Sequence, residues 1–135
     1  MLEAYSENIT IEGNSFIPFN NVVVKKGCSA EFSGPGTIQL NKAGVYMVEC
    51  DVCLNPAATG EISIQLYKNG IAQPQAISVK NGTTDTITNL GFTTLVQVSE
   101  NYNKCNCCTI PTTVQIINQS EGDFSIAHIV VTKVC

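Results

Sequence analysis

Tryptophan and arginine are absent from this 135-residue chain, histidine occurs once, and only 13% of the residues are charged. Without arginine there is no bidentate reader of phosphates or base edges. The lysines (Lys25, Lys26, Lys42, Lys68, Lys80, Lys104 and Lys133) are too dispersed to track a phosphate backbone. A net charge of −4 and a pI near 4.8 act in the same direction, so no nucleic-acid partner is expected. No apolar run reaches transmembrane length, and MLEAYSEN has neither the basic start nor the apolar middle of a secretory leader. No membrane partner is expected, and the chain should be soluble and made in a cytoplasm. No window carries a sustained i, i+3, i+4, i+7 apolar stripe behind a capping residue, which excludes a fold built on helices.

What is present is the vocabulary of strands: Val, Ile and Thr throughout, with Asn, Gly and Pro between the runs. The stretch from Gly44 to Gly70 organises the rest. Tyr46, Val48, Cys50 and Val52 alternate with Val45, Met47, Glu49, Asp51 and Cys53, and both faces of this run are partly apolar, which predicts burial on both sides. Ile62, Ile64 and Leu66 alternate with Ser63, Gln65 and Tyr67 up to Lys68-Asn69-Gly70, a hairpin signal. Asn81-Gly82 is a second hairpin signal, and Gln73-Pro74-Gln75 predicts a bulge in the strand between them.

Elsewhere Asn8 to Ile11 is a polar lead-in, Pro18 marks a strand end, and Val22-Val23-Val24 is a short buried run. In the long run from Thr84 to Ser99, Leu90, Phe92, Thr94, Val96 and Val98 share a face. In the final run from Phe124 to Val134, Phe124, Ile126, His128 and Val130 lie opposite Ala127, Ile129 and Val131, so this strand too is apolar on both faces. About ten short strands without a helix suit an antiparallel two-sheet sandwich.

The residues that could carry chemistry each have a structural reading beside the functional one. Cys28, Cys50, Cys53, Cys105, Cys107, Cys108 and Cys135 are an odd set that cannot all pair within one chain. Cys50 and Cys53 have metal-ligand spacing, but on a strand they point to opposite faces, so one ion cannot collect both. Cys50 is expected to be buried and reduced. Cys105, Cys107 and Cys108 fall in a loop and read as free thiols or a loop disulfide, since a zinc site lacks a fourth ligand. His128, mid-strand on an apolar face, reads as a core or interface residue. No nucleophile, base and orienting group can be assembled around it, so no catalytic residue, cofactor or metal is assigned. Glu49 and Asp51 share a face and read as an interface or solvated pair rather than as a general acid and base.

The order of turns and strands resembles the C1q/TNF-like jelly roll. The resemblance rests on Gly44-Val45-Tyr46 opening the central strand, Ile64-Gln65-Leu66-Tyr67-Lys68-Asn69-Gly70 after it, the strand around Gly91-Phe92 and the apolar carboxy-terminal strand, from about Ser15 to Lys133. Within that superfamily the chain is similar to the bacterial and bacteriophage branch, which includes the carboxy-terminal domains of collagen-like exosporium glycoproteins and small proteins of Firmicutes prophages. Cys107-Cys108-Thr109 followed by Val114, Asn118 and Ser120 resembles the prophage type.

The resemblance implies an all-β, TNF/C1q-like jelly-roll sandwich, with residues 1–14 as an N-terminal lead-in and 15–135 as one domain. It also implies a homotrimer whose sheets pack around a threefold axis, and it leaves calcium binding open. No Gly-X-Y repeat precedes the domain, so a collagen stalk is not expected. The function that follows is a non-enzymatic homotrimeric structural or attachment protein of a bacteriophage or prophage particle, made in the bacterial cytoplasm and assembled into a virion. A spore-surface protein and a carbohydrate- or receptor-binding trimer are the alternatives. The partners expected are further copies of the chain, with other particle proteins or a surface glycan in second place. The loop Tyr102, Asn103, Lys104, Cys105, Asn106, Cys107 and Cys108 is the expected contact tip, because the superfamily plan makes it a terminal connection between antiparallel strands.

Overall fold

The computed structural model describes residues 1–99 and 112–135. Eleven strands and no helix occur among them. In chain order they are β1 (Leu2–Ile11), β2 (Ser15–Phe16), β3 (Asn21–Lys25), β4 (Ala30–Phe32), β5 (Ile38–Leu40), β6 (Gly44–Pro56), β7 (Gly60–Lys68), β8 (Ile71–Gly82), β9 (Thr88–Val98), β10 (Thr112–Asn118) and β11 (Gly122–Lys133). They form two antiparallel sheets, a five-stranded one in the order β3-β1-β11-β6-β9 and a six-stranded one in the order β4-β5-β10-β7-β8, with β2 pairing to β10. The expected two-sheet jelly-roll sandwich is the fold observed.

The core lies between the sheets. Tyr46, Val48, Cys50, Val52, Ile129 and Val131 of one sheet face Ile38, Leu40, Ile62, Ile64, Leu66 and Ile116 of the other, all essentially without exposure. Asn69 and Gly70, with φ of 51° and 80°, make the tight β7–β8 turn that Asn-Gly predicts, since both can take a left-handed conformation. The predicted break in β8 is present where Gln65 and Tyr67 of β7 pair with Ile77 and Ala72.

Three expectations are corrected. Residues 1–14 are not a lead-in, and Asn8 to Ile11 is not outside the sheet. Leu2–Ile11 is a full strand between β3 and β11, with Leu2 and Ala4 fully buried and Ser6 fastened by a 2.6 Å hydrogen bond to the Pro18 carbonyl. Val22, Val23 and Val24 are not a buried run, because β3 is an edge strand and they are 51%, 53% and 39% exposed. Asn81-Gly82 does not turn a tight hairpin. It ends β8, and residues 83–87 carry the chain from the six-stranded sheet to β9 in the other.

A fourth difference concerns the faces of β11. Its register against β6 slips between Phe124 and Ile126, so that Phe124 turns into the core while Ser125 and Ile126 both stand outside it. Phe124 therefore does not share a face with His128 and Val130. The neighbouring β1 changes sides at the same level. Leu2, Ala4 and Ser6 point inward before Glu7-Asn8, and Ile11 does after it, with Asn8 left-handed at φ 53°.

Candidate assembly face

Strand registers place the outer face of the five-stranded sheet in rows. Glu3 of β1, Val130 of β11, Glu49 of β6 and Thr93 of β9 form one row, and Tyr5, His128, Asp51 and Gly91 form the next. Glu7, Ile126, Cys53 and Asn89 follow on one side, and Thr132, Met47 and Leu95 flank the first row on the other. Met47, Val130, Tyr5 and Cys53 are half-buried, whereas Leu95 and Ile126 are 59% and 41% exposed. An apolar set thus crosses the two central strands, as the two-sided pattern of β6 and β11 predicts.

His128 belongs to this outer face, not to the core. Its Nε2 stands 3.7 Å from Glu3 Oε2, and both side chains are about one-third exposed. Glu49 and Asp51 share the face as expected, on either side of the row boundary between Val130 and His128. Cys50 and Cys53 point to opposite faces. Cys50 is fully buried, and burial pushes its thiol up, with the Asp51 charge adding to the effect. Cys53 Sγ donates outside the core to Asn89 Oδ1 at 3.0 Å. Among the described residues no group of three His, Cys, Asp or Glu side chains could hold a metal ion.

The six-stranded sheet presents a different outer face. Gln119 Nε2 donates to Gln65 Oε1 at 3.0 Å, Gln65 Nε2 to the Gln73 carbonyl at 3.1 Å, and Gln115 Nε2 to Thr37 Oγ1 at 2.9 Å. Ser63 also donates to Gln119. These amides satisfy one another across the middle of the sheet, leaving exposed Phe16, Ile77 and Val79 at its margins. This face too has half-buried apolar side chains on interior strands, Ile117 of β10 and Tyr67 of β7, but they sit among the Gln65, Gln115 and Gln119 amides, whereas the first face has no such glutamine network.

Tyr5 and Glu3 were missed as face residues because LEAYSEN reads as polar. Its period-2 alternation, Leu2-Ala4-Ser6 against Glu3-Tyr5-Glu7, was the available signal. The contact loop Tyr102, Asn103, Lys104, Cys105, Asn106, Cys107 and Cys108 lies outside the described residues. Its flanking strand β9 ends at Val98, paired with Gly44, and Gly44 packs against the carboxy-terminal Cys135.

No protein-family model and no curated protein matches the sequence. Solved structures do match. The globular domain of zebrafish complement 1qA protein superposes with a TM-score of 0.74 at 8% identity, over 99% of this chain and 96% of that one. Eiger TNF from S. frugiperda gives 0.72 at 10% identity, over 99% and 92%. The PRD1 vertex protein gives 0.64 at 15% identity, over 99% and 96%. At these identities the likeness establishes the fold, which is the TNF/C1q-like jelly roll.

Proposed function

We propose that this protein is a non-enzymatic homotrimer serving as a structural or attachment part of a bacteriophage or prophage particle. The observation that carries the reading is the outer face of the five-stranded sheet, where Met47 of β6, Val130 and Ile126 of β11 and Leu95 of the edge strand β9 are half-buried or exposed apolar side chains outside the core. The occupant is a further copy of the chain, because the face joins apolar side chains across neighbouring strands outside the core and the superfamily resemblance implies a homotrimer closed about such a sheet. The likeness to a vertex protein supports the particle setting, and the superfamily resemblance supports threefold symmetry. On this reading the chain is made in the bacterial cytoplasm, and the Tyr102 to Cys108 loop, repeated about the axis, supplies weak contacts that add through avidity.

Sedimentation equilibrium of the full chain tests the reading. The expected mass is three times the 14.5 kDa of one chain. A single-chain mass at micromolar concentration contradicts it.

A further inference from the structure

The one histidine of the chain stands on the assembly face with carboxylates on the strands to either side of it. The Cα partners of His128 are Tyr5 on β1 and Asp51 on β6, and Glu3, Glu7, Glu49 and the Cys53 thiol occupy the next outward positions of those two strands. The 3.7 Å between its Nε2 and Glu3 Oε2 is ion-pair distance once the ring is protonated and too long for a hydrogen bond. Asp51 leans the other way. Its Oδ1 lies over Gly91 of β9, where a Cβ would collide with it, so Glu3 is the anion that His128 meets first.

The lysines on neighbouring strands are engaged elsewhere. Lys25 of β3 stands 3.8 Å from Glu31 of the other sheet, and Lys133 of β11 donates to the Cys135 carbonyl at 2.7 Å. The outward positions of β9, Asn89, Gly91, Thr93, Leu95 and Gln97, are uncharged. In a single chain the acids keep their water, since Glu7 and Asp51 are exposed and Glu3 is about one-third exposed. Closure of further copies over the face strips that water and gathers the same acids of every copy into one region. A carboxylate buried without a cation is strongly destabilising, and a protonated imidazole beside it is the compensation that this face contains. Histidine is the side chain whose charge ordinarily changes between about pH 5 and 8.

We propose that His128 is a pH switch of assembly, whose rings take up protons as copies close on this face and so tighten the trimer as pH falls from about 8 to about 6. The inference rests on the proposed homotrimer and gives it a regulator. Its sign follows from linkage. The state that binds more protons gains as pH falls, and closed copies bind more because each imidazolium offsets acids that have lost their water. Carboxylates ordinarily titrate near pH 4, below this window, and thiols and phenols above it. The Met1 ammonium, which donates to the Lys26 carbonyl at 2.8 Å, is kept in every variant below, so a shift that it caused would persist there. One net proton per trimer changes the assembly constant about tenfold per pH unit. Over two units that is about a hundredfold, and about tenfold in midpoint concentration, because the constant of a three-body equilibrium varies as the square of that concentration.

The test is sedimentation velocity on dilution series of the full chain at about pH 8, 7 and 6 and one ionic strength of about 0.1 M, with circular dichroism confirming the β-sheet content of each variant. Wild type should show a trimer whose dissociation midpoint falls about tenfold from the highest pH to the lowest. His128→Gln should still form the trimer, with a midpoint constant to within about twofold across the series, and Glu3→Gln should reduce the shift. A trimer with the same midpoint at every pH, or an undiminished shift in either variant, would overturn the proposal while leaving the assembly reading intact. Single chains at every pH and concentration would instead contradict the assembly reading, and the switch with it.

Discussion

The wholly buried Tyr46 donates its hydroxyl proton to the carbonyl of Lys42, four residues earlier, at 2.7 Å. The same oxygen lies 3.3 Å from the Lys42 amide, which donates to it, and 3.2 Å from the Ser29 carbonyl. One phenol thus fixes the turn that opens β6 and ties it to the segment before β4. Tyr46→Phe leaves those backbone groups short of a partner in a partly buried site. A loss of about 1–2 kcal/mol is expected in denaturant unfolding, with the slope unchanged.

Cys50 makes a prediction with a definite sign. Its thiol is pushed up in the folded chain, so folding favours the protonated form. That contribution is fully present below the unfolded thiol's value, about 8.5, and is lost as pH rises above it, at up to about 1.4 kcal/mol per pH unit. Wild type should therefore lose stability faster than Cys50→Ala between neutral and strongly alkaline pH. In the native protein at neutral pH, thiol reagents should modify Cys28 and Cys135, both exposed, long before Cys50. Rapid labelling of Cys50 would mean that the inward face of β6 is misassigned.

Charge on the assembly face predicts a salt effect. Glu3, Glu7, Glu49 and Asp51 share it with His128 alone, so copies brought together there repel at neutral pH. Raising ionic strength from about 0.01 M to about 0.1 M shortens the screening length from about 30 Å to about 10 Å. Dissociation on dilution should accordingly recede to lower protein concentration as salt is added. The opposite trend would assign association to ion pairs rather than to the apolar side chains of the face.

Replacement of residues 103–108 by a Gly/Ser linker should leave the assembled mass unchanged and remove attachment to the particle. Collapse to single chains would place the loop in the assembly contact instead of at its tip.

The faces of β6, β7 and β9 were legible in the sequence because each strand keeps strict alternation over its length, and the Asn69-Gly70 turn was legible because few residue pairs tolerate its backbone. The end of β11 was not. A single extra residue near Ser125 reverses parity, and nothing in FSIAH distinguishes a bulge from continuous alternation. Val22 to Val24 misled for a different reason. Three consecutive β-branched residues report strand preference, and an edge strand satisfies that preference without burial.

The central claim is that copies of the chain meet through the outer face of the five-stranded sheet. The most direct measurement is sedimentation velocity on Val130→Glu, placed between Glu3 and Glu49 on that face, against Ile77→Glu on the outer face of the other sheet. With both variants retaining the β-sheet circular dichroism of the wild type, Val130→Glu should sediment as a single chain and Ile77→Glu as the wild-type trimer. A trimeric Val130→Glu, or a monomeric Ile77→Glu, would contradict the account.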